Sequence, residues 1–292
     1  MRFSVIIASR GKPEQVRTVA GACLMMASGE HEVEIVISCD EDDVNTYCAF
    51  ASDCDLQTWV DCRPRPPGIT ECWNRCIPGA VERGADVILA LPDDGLMSCP
   101  NWDAHIAKYM NGMMDTRLGV MAIHDSANPG QATIILAHKD WVKMAGFFDQ
   151  RYVFWWADTA IGELHSYVRG TGLPIIGNGG ITTKPWNWNP RLRDMSFWWD
   201  FYGATRRERL KIAEIIRNEL DLPTPDLKTL VAQWQEHDRM GLIGGEEIVK
   251  AIPDPKPPDE AYWKAYKAVE EYMRDPVSSA DAYVASGKWR IL

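Results

Sequence analysis

Asp86-Val87-Ile88-Leu89-Ala90-Leu91-Pro92-Asp93-Asp94 is the stretch on which the fold turns. From Val87 to Leu91 every position is apolar rather than every second one, the pattern of a strand buried on both faces of a helix-covered sheet. Open α/β sheets bind ligands in the crevice outside the carboxyl ends of their strands, so a carboxylate pair at that point is the first place to look for chemistry. Two adjacent carboxylates there suit a divalent cation. Taken alone, the pair is better explained as a cap for the helix beginning near Trp102 or as the close of a polar turn, and its surroundings decide.

Outward from this stretch, strand and helix alternate. Residues 2–8 form a β-rich run; Pro13 suits the first turn of a helix whose apolar positions Val16, Val19, Ala20, Cys23, Leu24 and Ala27 recur at helical spacing, and Gly29 ends it. A second strand covers residues 32–38 with Asp40 just beyond, followed by a polar helix at 43–52 and a short strand at 58–60. The loop Arg63-Pro64-Arg65-Pro66-Pro67-Gly68 leads to a helix through Trp73, Cys76, Ile77 and Ala80. This alternation implies right-handed crossovers and a mostly parallel sheet. Ser9-Arg10, Asp40 and Asp93-Asp94 all follow strands, so they converge on one edge although far apart in sequence.

Further helices are expected at 102–114, 139–145 and 159–169, and strands at 119–123, 132–137 and 173–176. Asp158 stands directly before a helix, where its ordinary role is an N-cap worth ~1 kcal/mol. Beyond Gly180 the composition turns aromatic, then gives amphipathic helices at 205–220, 226–240 and 259–274 with Pro-rich connectors. The expected organisation is an α/β domain over residues 1–180 and an aromatic-rich connector with a helical C-terminal region over 181–292.

Composition narrows the class. With 46% hydrophobic and 25% charged residues and no apolar stretch near 18 residues, no membrane span is expected. The opening run is too short for a signal peptide, and a cytoplasmic location follows as an expectation. All eight cysteines fall between Cys23 and Cys99 without paired ligand spacing, as buried thiols rather than a zinc site or a disulfide framework. A net charge of −10 argues against a protein that simply coats nucleic acid.

The order of these motifs resembles the GT-A fold of nucleotide-sugar glycosyltransferases, particularly the inverting family-2-like group, over residues 3–180. The resemblance is carried by Val5-Ile6-Ile7-Ala8-Ser9-Arg10 with a Pro13-Glu14 helix start, Asp40, Asn74, Leu91-Pro92-Asp93-Asp94, and Gly146-Phe147-Phe148-Asp149 followed by Asp158. It implies a Rossmann-like, mostly parallel sheet with helices on both faces, here with a helical appendage. It further implies an enzyme that moves a sugar, from a UDP-sugar foremost, to an acceptor hydroxyl with Mn²⁺ or Mg²⁺. Asp94 matches the usual metal-binding position with Asp93 beside it, while Pro92 replaces the family's first acidic residue. By the same resemblance Asp40 binds the base or ribose, Ser9, Arg10 and Asp93 line the nucleotide pocket, and Arg63 or Arg65 with the Gly68 backbone reaches the diphosphate. Asp158 matches the catalytic base. The family's further metal-binding His has no counterpart at 181–186, and His165 reads as a packing residue.

Trp155, Trp156, Trp186 and Trp188 are candidate stacking platforms for an acceptor, although such residues also fill joints between helices. Arg191, Arg193, Arg206, Arg207, Arg209 and Lys211 form a locally basic stretch, which reads as an exposed helix face or as a nucleic-acid groove. On that stretch rests a DNA acceptor, such as a hydroxymethylated base in a viral genome, beside a glycan. Two other readings stay open: a nucleotidyltransferase of related fold, and a non-catalytic module binding glycan or nucleic acid.

Overall fold

The computed structural model describes residues 1–53, 58–113, 115–126, 132–153, 156–183, 194–250 and 259–290. In chain order, β1 (Arg2–Ala8), α1 (Pro13–Met25), β2 (Glu32–Asp40), α2 (Val44–Asp53), β3 (Thr58–Arg63), α3 (Ile69–Asn74), α4 (Ile77–Glu82) and β4 (Val87–Pro92) form the expected alternating array. Then follow β5 (Gly95–Met97), α5 (Trp102–Asn111), β6 (Val120–Asp125), β7 (Ile134–His138), α6 (Lys139–Ala145), α7 (Ala157–Arg169) and β8 (Ile175–Thr183). Helices α8 (Met195–Ala204), α9 (Arg206–Leu220), α10 (Leu227–Lys250), α11 (Glu260–Arg274) and α12 (Pro276–Ser286) complete the described chain.

Among the described residues the strands make one eight-stranded sheet in the order β3-β2-β1-β4-β7-β6-β8-β5. β3, β2, β1 and β4 run parallel, as do β6 and β8, while β7 is antiparallel to β4 and β6, and β5 to β8. Alternate side chains of each central strand go to opposite faces and into separate cores. Val5, Ile7, Ile35, Ile37, Leu89 and Leu91 pack with α1 and α5; Ile6, Val36, Ile88 and Ala90 pack on the other face with α4, α6 and α7. The apolar run at 87–91 is therefore buried on both faces, as its unbroken pattern requires.

Three departures from the expected elements have physical causes. The single helix through Trp73 and Ala80 is two, α3 and α4, because Pro78 cannot donate to a continuous ladder and serves instead in the first turn of α4. β8 extends to Thr183 because the short strand β5 pairs with its far end. α8 and α12 were not anticipated: α8 is too aromatic for a polar stripe, and α12 is short. The C-terminal helices share the core of α7: Trp198, Phe201, Ile212, Ala213, Ile216 and Tyr262 belong to the same buried cluster as Ala160, Ile161 and Leu164.

Candidate active site

Register brings the first pieces together. Ala8 of β1 lies level with Ser38 of β2 and Pro92 of β4, so Ser9, Asp40 and Asp93 emerge side by side from the carboxyl ends of three parallel strands. The Ser9 hydroxyl donates to Asp93 Oδ2 at 2.8 Å and shares a 2.8 Å hydrogen bond with the Tyr47 hydroxyl. Lys12 Nζ stands 3.3 Å from Asp93 Oδ1. Asp93 is thus oriented by the turn that opens α1. Asp94 behaves differently: burial and the neighbouring charge of Asp93 push its carboxyl up to about 6, against the pull of Lys12. Asp125, fully buried at the end of β6, adds to that repulsion.

Asp40 is buried and accepts from Arg10 Nη1 at 2.6 Å. The same guanidinium forks onto both oxygens of Asp42 at 2.6 and 2.5 Å, and this pairing, with that to Asp40, holds the Arg10 pKa above its ordinary value. Arg65 approaches the same oxygen of Asp40, with Nε 3.9 Å from Oδ2, and its Nη2 lies 3.2 Å from Asp259 Oδ2 at the start of α11. Arg63 turns along its own strand to Asp61, 3.0 Å away, so of the two loop arginines only Arg65 meets Asp40. Gly68 is pressed against the backbone of Val153: a Cβ there would fall 1.9 Å from the Val153 carbonyl oxygen. Its place is in the packing of two segments.

Those segments fasten the part of the chain that carries Asp158. The Asn74 side chain donates to Phe148 O at 2.6 Å and accepts from Phe148 N at 3.2 Å. Thr70 donates to Tyr152 O, and Ile69 N to Val153 O at 3.0 Å. Trp73 Nε1 in turn donates to Leu91 O at 3.3 Å, two residues before Asp93, and its ring meets Phe148 at 5.3 Å. α3 therefore ties the approach to α7 onto the end of β4. Asp158 lies in the first turn of α7, half-buried, accepting from Thr159 N at 2.8 Å, and burial raises its pKa above the ordinary carboxylate value. Trp156, not Asp158, occupies the cap position, with a left-handed backbone (φ 71°) that a bulky residue rarely adopts.

Trp156 is itself buried, its ring stacked on Tyr202 of α8 at 5.5 Å, so it fills the joint between α7 and the appendage. Trp155, Trp186 and Trp188 lie outside the described residues, as do Arg191 and Arg193. The rest of the basic stretch is neutralised within the chain. Arg206 and Arg209 each donate to Glu163 at 2.6 Å, Arg206 also pairs with Asp238, and Arg207 and Lys211 share Asp281. His165 is buried against Trp141, a packing residue.

Tyr47, Lys12 and Arg75 were not picked out by sequence. Arg75 donates to Ser38 Oγ, Cys39 O and Pro64 O at 2.9, 2.6 and 3.2 Å, tying the end of β2 to the 63–68 loop. The single basic residue of the 69–82 helical stretch was the available signal.

Among the described residues no group of three or more His, Cys, Asp and Glu side chains forms a ready-made metal cage. A cation bound with a nucleotide takes only one or two carboxylates and completes its shell from phosphate oxygens and water. Asp93 and Asp94 fit that partial set, because the site crowds negative charge onto Asp94 that a cation would relieve.

A mostly parallel sheet with antiparallel β7 inserted between β4 and β6 and helices packed on both faces is the GT-A fold. Solved structures with this fold match between 73% and 99% of the chain. They include the mannosyltransferase PcManGT from Pyrobaculum calidifontis, in complex with GDP-Man and Mn²⁺ (12% identity, TM-score 0.50, covering 99% of this chain and 85% of that one). TarS 1–349 of S. aureus, in complex with UDP, matches at 13% identity and TM-score 0.50 over 73% of this chain and 65% of that one. GalNAc-T7 with UDP, GalNAc and Mn²⁺ matches at 12% identity and TM-score 0.51 over 82% of this chain and 54% of that one. No protein-family model and no curated protein matches the sequence.

Proposed function

We propose that the chain is a metal-dependent, inverting glycosyltransferase that moves a sugar from a nucleotide-sugar, a UDP-sugar foremost, to an acceptor hydroxyl, with residues 1–180 as its catalytic unit. The observation that carries this reading is the meeting of Ser9, Asp40, Asp93 and Asp94 at one strand edge, to which α3 fastens the segment leading to Asp158. Asp40 accepts from the base or ribose, and Arg10 and Arg65 beside it supply positive charge for the anionic donor. Asp94, with Asp93 beside it, would hold Mn²⁺ or Mg²⁺, a cation that would supply charge neutralisation at the diphosphate. Asp158 takes the proton of the acceptor hydroxyl as that oxygen attacks the anomeric carbon opposite the leaving group. A raised pKa makes it a better proton acceptor than a free carboxylate.

A glycan is the acceptor this reading favours. DNA rested on the basic stretch, and four of its six cations are ion-paired to Glu163, Asp238 and Asp281. Incubation with UDP- and GDP-sugars and Mn²⁺ tests the reading through donor hydrolysis and metal-dependent nucleotide binding. Wild-type protein should respond to at least one donor and Asp94→Asn to none; a wild type inert to every donor counts against a glycosyltransferase.

A further inference from the structure

The C-terminal region reaches back to the strand edge at one charged contact. From Asp42 and Arg10, polar contacts run through Asp40 and Arg65 to Asp259, linking the turn after β1, the end of β2, the loop after β3 and the start of α11. Asp259 has two tasks there. Its Oδ1 accepts from Tyr262 N at 2.9 Å as the N-cap of α11, while its Oδ2 lies 3.2 Å from Arg65 Nη2. The helix is anchored in turn, since the Tyr262 side chain is fully buried and meets Trp198 and Asp194 of the α8 region. Arg65 alone is a long, 42% exposed side chain on a loop, and in solution it would sample many rotamers. Held at Nη2 by a carboxylate whose position is set by a capped and packed helix, its guanidinium stands with Nε 3.9 Å from Asp40 before any ligand arrives.

We infer that Asp259 is a positioning residue for the donor site, orienting Arg65 beside Asp40 so that a nucleoside diphosphate is bound without first ordering that side chain. The inference rests on the glycosyltransferase reading and extends it: the helical C-terminal region serves donor binding as well as packing. Pre-orientation lowers the cost of binding rather than the barrier of the chemical step, so the effect belongs in affinity and KM, with kcat unchanged.

Asp259→Asn provides the test, because Asn caps helices as well as Asp and retains the bond to Tyr262 N while losing the charge that holds Arg65. UDP and GDP binding with Mn²⁺ is measured by calorimetry on the full chain, alongside donor KM and kcat and the thermal midpoint. The expected result is binding about three- to fivefold weaker with a matching rise in KM, the size of a partly exposed ion pair, and with kcat and midpoint held. In an Arg65→Gln background the same substitution should have no further effect. Unchanged or tighter binding in Asp259→Asn, or an undiminished loss in the Arg65→Gln background, overturns the inference alone. Failure of the wild-type protein to bind either nucleotide overturns the donor-site reading, and the inference with it.

Discussion

Asp158 opens α7 from an unusual backbone, with Trp156 left-handed before it and its own oxygen 2.8 Å from the amide of Thr159. A capping role alone would leave Asp158 replaceable, since Asn accepts the same amide bond at little cost to the helix. As the base of the proposed transfer it is not replaceable, because Asn cannot take a proton. Asp158→Asn is therefore expected to lower kcat about 10²- to 10⁴-fold while UDP or GDP binding stays within about twofold and the thermal midpoint holds. Near-normal turnover in single-turnover assays would remove Asp158 from the chemistry. The residue was legible in sequence as an acid before a helix; the cap assignment was not, because Trp156 carries no capping chemistry.

At the scale of elements, two contacts hold α7 in place, and neither is visible as a pattern. The first is the approach of the 147–153 segment to α3, which Gly68 permits by lacking a side chain. Gly68→Ala should push Val153 away and destabilise the fold by about 1–3 kcal/mol, read as a lower urea midpoint with an unchanged m-value. Tolerance of the Cβ without loss would mean the two segments are not in contact. The second is the buried ion-pair cluster between α7 and α9. Glu163 is fully buried and accepts from Arg206, Arg209 and Tyr167. Breaking one partner of such a cluster leaves unpaired charge, so Glu163→Gln should cost about 3–5 kcal/mol in denaturant unfolding. Arg209→Met added to it should recover part of that loss, and simple additivity of the two would exclude a coupled cluster.

For the whole molecule, one contribution to acid stability has a sign that the burial of a single residue sets. His165 lies on α7 with no exposure, and burial lowers its pKa from 6.5 to about 3. Between those values the unfolded chain binds a proton that the folded chain refuses, so folding stability is intact above about pH 6.5 and is lost as pH falls toward 3. The loss amounts to up to about 1.4 kcal/mol per pH unit from this residue. Asp94, raised to about 6, contributes with the opposite sign below that pH, so urea titrations at pH 7, 5.5 and 4.5 are read as the difference between wild type and His165→Leu, which should take up about one proton fewer on unfolding. An unchanged slope in the variant would assign acid sensitivity elsewhere.

How much of this was legible follows from the range over which each signal acts. Periodicity is a property of neighbours in the chain, and it sufficed for β1, β2, β4, α1 and the run ending at Asp93-Asp94, hence for the α/β class and the convergence of acidic residues on one edge. It could not say that β7 runs antiparallel between β4 and β6, that Arg65 rather than Arg63 turns to Asp40, or that Trp156, Arg206 and Arg209 face inward. Those outcomes depend on which side chains meet after the chain has folded back on itself, and the meeting is set by shape and by the cost of burying an unpaired charge. The sequence by itself determined the alternating elements and the carboxylates that follow the strands, because burial on both faces imposes an unbroken apolar run that ends where the polar edge begins. Only the tertiary structure decided which charges are consumed in holding α7 against the C-terminal helices and which are left facing the edge where a donor would bind.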